Sequence, residues 1–168
     1  MRKISNVLLI TLLIVFSSFS FCSAEITSRT GDTQNEVITT SQTITGLDEA
    51  YISYFIKKSA NSTDTYTLVF SRIYPLFEHF SYKNGYPCLI KFDNEKDFTI
   101  LETTGINNKQ IEVGSMRSMA GFKIKQEQVD KLKSCTNVRI LLFNESKTYT
   151  SEFQVPQNAL NEWKQVAL

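Results

Sequence analysis

A single histidine, His79, limits the acid–base chemistry open to this chain, because any imidazole general base must be that residue. Between it and Cys88 lies the pair Asn84, Gly85, the dipeptide that a two-residue type I′ turn favours because both central positions need positive φ. The hairpin it predicts joins 77–83 to 86–92 and sets His79 opposite Ile90, diagonal to Cys88, where a thiol and an imidazole could pair for nucleophilic chemistry. No Asn or Asp is placed by a motif to orient that imidazole, and a cysteine held in a disulfide cannot attack. A histidine at a sheet edge beside Glu78 is the plainer reading.

The carboxylates Asp93, Glu95 and Asp97 alternate around a polar turn, a spacing that suggests a calcium loop or a paired-carboxylate hydrolase. A calcium loop of the helix–loop–helix kind needs glycine at its sixth position and glutamate at its twelfth, and those positions are Phe98 and Thr104. A solvated hairpin turn fits better. Gly114 and Gly121 form no phosphate-binding loop, and no dinucleotide or nucleophile-elbow motif is present. The reading assigns no catalytic residue, no metal ligand and no cofactor.

Aromatic side chains crowd one short segment: Tyr74, Phe77, Phe80, Tyr82 and Tyr86. Strand alternation would turn some of them outward, with Tyr82 and Tyr86 among these, where rings stack on sugars or anchor a protein partner. These five are the candidate binding surface. Strands are also enriched in aromatics for packing alone.

The chain opens with Arg2 and Lys3, an apolar run over 7–16, and Cys22, Ser23, Ala24, which is the layout of a secretory signal peptide over 1–24. The apolar run is shorter than the roughly 20 residues that span a bilayer, and no later run is long enough, so no transmembrane segment is expected after cleavage. The expected location is secreted, or the periplasm or cell envelope. Loss of Arg2 and Lys3 from 18 basic residues, against 17 acidic ones, leaves a near-neutral chain with interspersed signs. That excludes the basic footprint of nucleic-acid binding. Cys88 and Cys135 remain as an even pair, and in an oxidising compartment they are expected to form a disulfide worth roughly 4 kcal/mol.

The elements that must position these groups are mostly strands. The Thr- and Ser-rich stretch 25–45 reads as a flexible leader, with an edge strand over 36–44 as the alternative. A single β-rich domain then fills 46–168. Residues 50–57 alternate, with Tyr51, Ser53 and Phe55 on one face; 65–73 follow as a partner strand with Tyr66, Leu68 and Phe70 on one face. Residues 98–101, 119–124, 138–143 and 148–154 are further strands, while 103–109 reads as a loop. Val129 and Leu132 mark a short amphipathic helix over 126–134, and Leu160, Trp163 and Val166 a second behind Pro156. The fold class is α+β or β-sandwich-like, mainly antiparallel sheet with two short helices. Sequons at Asn61 and Asn144 fall in predicted hairpin turns.

Three segments, 86–92 ending in Asp93 and Asn94, 122–132, and 138–143, give an order of elements that resembles small uncharacterised secreted or envelope proteins of bacteria. The resemblance implies an exported β-rich fold and no particular chemistry. Without a convergent polar set, the function expected is an exported, non-enzymatic binding protein with an unknown protein or glycan partner. A small secreted hydrolase using His79 or the 93–97 carboxylates is the alternative, as is an inhibitor or immunity-type protein.

Overall fold

The computed structural model describes residues 26–30, 36–45, 50–78, 80, 82, 88–144 and 150–168. The signal-peptide segment, His79, Tyr86 and the Asn84, Gly85 turn lie outside them. Among the described residues, ten strands form two antiparallel sheets and two short helices accompany them.

The larger sheet runs β1 (Ile26–Thr30), β2 (Glu36–Thr45), β3 (Ala50–Ala60), β4 (Thr63–Pro75), β8 (Ser115–Ile124), β7 (Glu102–Glu112). The smaller runs β10 (Thr150–Gln154), β9 (Val138–Phe143), β5 (Cys88–Phe92), β6 (Thr99–Ile100). Helices α1 (Gln126–Ser134) and α2 (Gln157–Ala167) follow β8 and β10. The chain leaves the large sheet after β4, builds β5 and β6 of the small one, and returns through Leu101, whose N–H bonds Cys88 O at 3.0 Å.

Alternation decides which face is buried. Tyr51, Ser53 and Phe55 of β3 and Tyr66, Leu68 and Phe70 of β4 point into the core, as do Ala120, Phe122 and Ile124 of β8. The β3–β4 turn needs positive φ at Asn61 (48°) and Ser62 (64°), which Asn tolerates well and which closes a two-residue loop. Against this inner face lie the small sheet and α2. Tyr51 stacks on Phe153 of β10 at 5.8 Å, and Phe70 meets the same ring edge-on at 5.8 Å. Phe55 stacks on Trp163 of α2 at 5.8 Å.

Several expectations need correction. Within the stretch 25–45, expected as a flexible leader or with a strand over 36–44, residues 26–30 and 36–45 are strands: β1 and β2 pair with each other and β2 with β3 over its whole length. Thr is β-branched and suits an edge strand, so a polar composition there is compatible with pairing. Residues 103–109 are not a loop but most of β7, an edge strand that is largely exposed and interrupted by a bulge, so no regular alternation marks it. Of the hairpin expected between 77–83 and 86–92, residues 88–92 are paired instead with β9 and β6, and the Asn84, Gly85 turn lies outside the described residues. The Cys88–Cys135 disulfide is absent as well. Both are buried free thiols, and burial raises the pKa of each. Cys88 faces the core as half of an apolar strand, and Cys135 ends α1, its Sγ 3.3 Å from Leu132 O. Cysteine packs as a small hydrophobe, which accounts for both.

Trp163 is 1 % exposed, and its Nε1 has no hydrogen-bond partner among the described residues, so its contribution is packing area. Trp163→Ala is expected to cost about 3–5 kcal/mol and Trp163→Phe clearly less. Urea unfolding followed by far-ultraviolet circular dichroism measures both, and equal losses would show that the indole is not read for its volume.

Candidate functional site

The aromatic segment is mostly interior, which corrects the expected binding surface. Tyr74, Phe80 and Tyr82 are buried, and Tyr86 lies outside the described residues. They are drawn in by Arg72, which stands on the inner face of β4 after Tyr66, Leu68 and Phe70 and is itself buried. Its guanidinium lies 4.4 Å over the ring of Phe80, a cation–π contact in a place with little water. Phe80 packs on Tyr74 at 5.4 Å and meets Tyr82 edge-on at 5.1 Å. Tyr82 donates its hydroxyl proton to Phe70 O at 3.0 Å, so its polar end is satisfied. Rings and cation form one interior cluster.

That cluster has an external consequence. Arg72 Nη2 donates to Glu78 Oε1 at 2.6 Å, and the Glu78 N–H bonds Pro75 O at 2.9 Å, closing a tight turn over 75–78. Leu76 N–H bonds Gly114 O at 2.8 Å, fastening this turn to the one between β7 and β8. Gly114 has φ of +83°, where a side chain would be strained, and its neighbour Val113 projects into water. The residues at the crest are therefore held outward: Leu76 is 53 % exposed, Phe77 84 % and Val113 99 %, with half-exposed Ile73 beside them on the outer face of β4. Single exposed apolar residues are ordinary; several on two turns fastened to one another make a patch. Of the expected binding residues, Phe77 alone is shown at the surface. Val113 carried no signal in the sequence.

The 93–97 carboxylates are structural where the structure brings them into contact. Asp93 sits at φ 43°, and its Oδ1 accepts from Thr136 N at 2.7 Å, Thr136 Oγ1 at 2.9 Å and Asn137 N at 2.9 Å. It fastens the end of β5 to the α1–β9 connection. Those donors, the Thr136 amide foremost, hold its pKa below the ordinary carboxylate value. Glu95 pairs with Lys131 at 2.6 Å, which lowers its pKa too. Asp97 is exposed and joins neither arrangement. No group of three or more His, Cys, Asp or Glu among the described residues could hold a metal. Of the two sequons, Asn61 is exposed in the β3–β4 turn as expected, whereas Asn144 is buried and bridged to Tyr82.

No family model matches the chain, and no curated protein or solved structure matches it.

Two outcomes follow from these contacts. Glu78→Ala removes the carboxylate from a buried guanidinium and is expected to cost about 2 kcal/mol in urea unfolding, a charged hydrogen bond's usual worth. Asp93 has a folded pKa below its unfolded one, so its stabilisation is complete above the ordinary carboxylate range and is lost as pH falls through the folded value. Asp93→Asn keeps a side chain that tolerates positive φ. It should lower the melting temperature at neutral pH, and the difference from native protein should shrink in acid; a pH-independent difference would contradict the role given to the charge.

Proposed function

We propose that this is an exported, non-enzymatic binding protein that engages a protein partner through the apolar crest of Leu76, Phe77 and Val113. One observation carries the reading: Phe77 is 84 % exposed on a turn that the ion pair of buried Arg72 with partly exposed Glu78 and two backbone hydrogen bonds hold in place. A ring left in water by a mobile loop costs little to hide, and Phe80 and Tyr82 of the same segment are hidden. Phe77 is held where it cannot join them. Aromatic anchors of this kind fill pockets on a partner, and a preorganised turn spares the ordering cost of binding. The signal-peptide pattern of 1–24 supports a location outside the cytoplasm.

The carboxylate form of the hydrolase alternative loses support, because Asp93 and Glu95 are engaged in holding the fold. A glycan partner would need rings laid flat over a shallow surface, whereas a crest of Leu, Phe and Val offers projecting apolar bulk.

A photo-crosslinking residue at position 77, with one at the exposed Asn61 turn as control, tests the proposal in the producing cell. The expected outcome is a discrete protein adduct from position 77 that is absent from position 61. In the purified state, Phe77→Ser together with Val113→Ser should leave the melting temperature within about 2 °C, since surface changes lie within roughly 0.5 kcal/mol. The same pair should abolish capture of the crosslinked partner. Undiminished capture by that folded variant would end the proposal.

A further inference from the structure

Among the described residues the outer edge of β7 pairs with no other strand, and such edges in stable proteins are short, covered or defended by charge. This one is long, running Glu102–Glu112. Its pairing with β8 shifts register between Thr103 and Gly105, so Thr104 is the extra residue of a bulge. The bulge changes which residues share a face. Glu102 stands opposite Lys123, Gly105 opposite Gly121, Asn107 opposite Met119 and Lys109 opposite Arg117, all on the outer face. Thr103, Ile106 and Asn108 stand opposite Phe122, Ala120 and Ser118, on the inner one. Without the bulge, Glu102 and Lys109 would fall on opposite faces.

Counted through these partners, the strand reads the same way in complementary form from both directions about Ile106. An antiparallel copy centred there sets Ile106 against Ile106 of the second chain, Asn107 against Gly105, Asn108 against Thr103, and Lys109 against Glu102. The apolar pair meets on the face that continues the core, polar meets polar, and the two ion pairs form on the outer face. Neither Glu102 nor Lys109 has an ion-pair partner among the described residues. Within one chain Lys109 lies directly across from Arg117, a like-charge pair that disfavours the isolated sheet. A second copy's Glu102 would relieve it. Thr104 does not obstruct the approach, because its side chain lies over Gly121, where an added Cβ would come within 2.5 Å of Oγ1.

We propose that two copies of this protein pair through β7 in antiparallel register about Ile106, joining their large sheets into one continuous sheet across a two-fold axis. The contact is a strand edge with little side-chain area, so the association is weak and concentration-dependent.

Sedimentation equilibrium over a concentration series from micromolar to submillimolar, at low and at high salt, measures it. The native protein should reach dimer mass, less readily at high salt. Lys109→Glu and Glu102→Lys, each placing two like-charge contacts across the axis, should each weaken association roughly tenfold or more. Mixing these two variants restores both ion pairs, so the mixture should form a heterodimer although each component alone stays monomeric. The double variant should dimerise like the native protein. A native protein that is monomeric throughout the series would overturn the proposal. So would dimers insensitive to both reversals, or a mixture that fails to associate while both variants keep the native circular dichroism spectrum.

Discussion

The packing of Tyr51, Phe70 and Phe153 is the contact on which the rest of this molecule depends. Two of these rings belong to the large sheet and the third to β10 of the small one, so the cluster is where two separately hydrogen-bonded sheets become a single core. Backbone bonding holds each sheet together, but only side chains hold one against the other. The Tyr51 hydroxyl lies 3.1 Å from Ser151 Oγ, which gives the ring a polar partner on the opposite sheet. Phe55 on Trp163 repeats the arrangement toward α2, so a run of aromatics along β3 and β4 meets strand at one end and helix at the other.

Beyond Phe70 the same row of inward positions changes character. Arg72 occupies a place where apolar residues would continue the core, and the fold accommodates its charge with a carboxylate and an aromatic face. Because Glu78 must come to the guanidinium, the chain after β4 turns sharply, and Leu76 and Phe77 are left outside. An interior charge thus determines what the surface displays. The exposed crest and the buried cluster are two sides of one requirement.

Much of the architecture was legible because buried strands alternate and short helices repeat. The faces of β3 and β4, the limits of α1, β9 and the anchor at Trp163 all follow from that periodicity. The edge strand β7 and the Thr-rich β2, second from the other edge, were illegible for a related reason: one has little burial to set an alternation and the other has a polar composition, so little in their sequence separates them from loops. The candidate site was legible only in location. The crowding of rings over 74–86 marked the right segment, yet which ring faces outward depends on Arg72, whose partner lies across a turn that no local pattern forecasts. Asp93 and Glu95 were expected on a solvated turn and the two cysteines in a disulfide, because residue type and spacing show neither the partners nor the burial of a side chain. Three donors on one carboxylate oxygen and an apolar bed for each thiol explain them as packing.

The strand order has a consequence for a chain that emerges from its N-terminus. β4 carries the most apolar inner face of the large sheet, and its second neighbour, β8, arrives only after the whole excursion through β5, β6 and β7. Pro75 waits for Ser115 and Tyr66 for Ile124. Until residue 124 has been made, Leu68 and Phe70 stand on a strand with one unsatisfied edge, the form most prone to pair with a neighbouring nascent chain. Premature termination anywhere between 76 and 114 would therefore yield a sticky fragment, and a full-length chain has to be kept apart from its siblings until its final third is present.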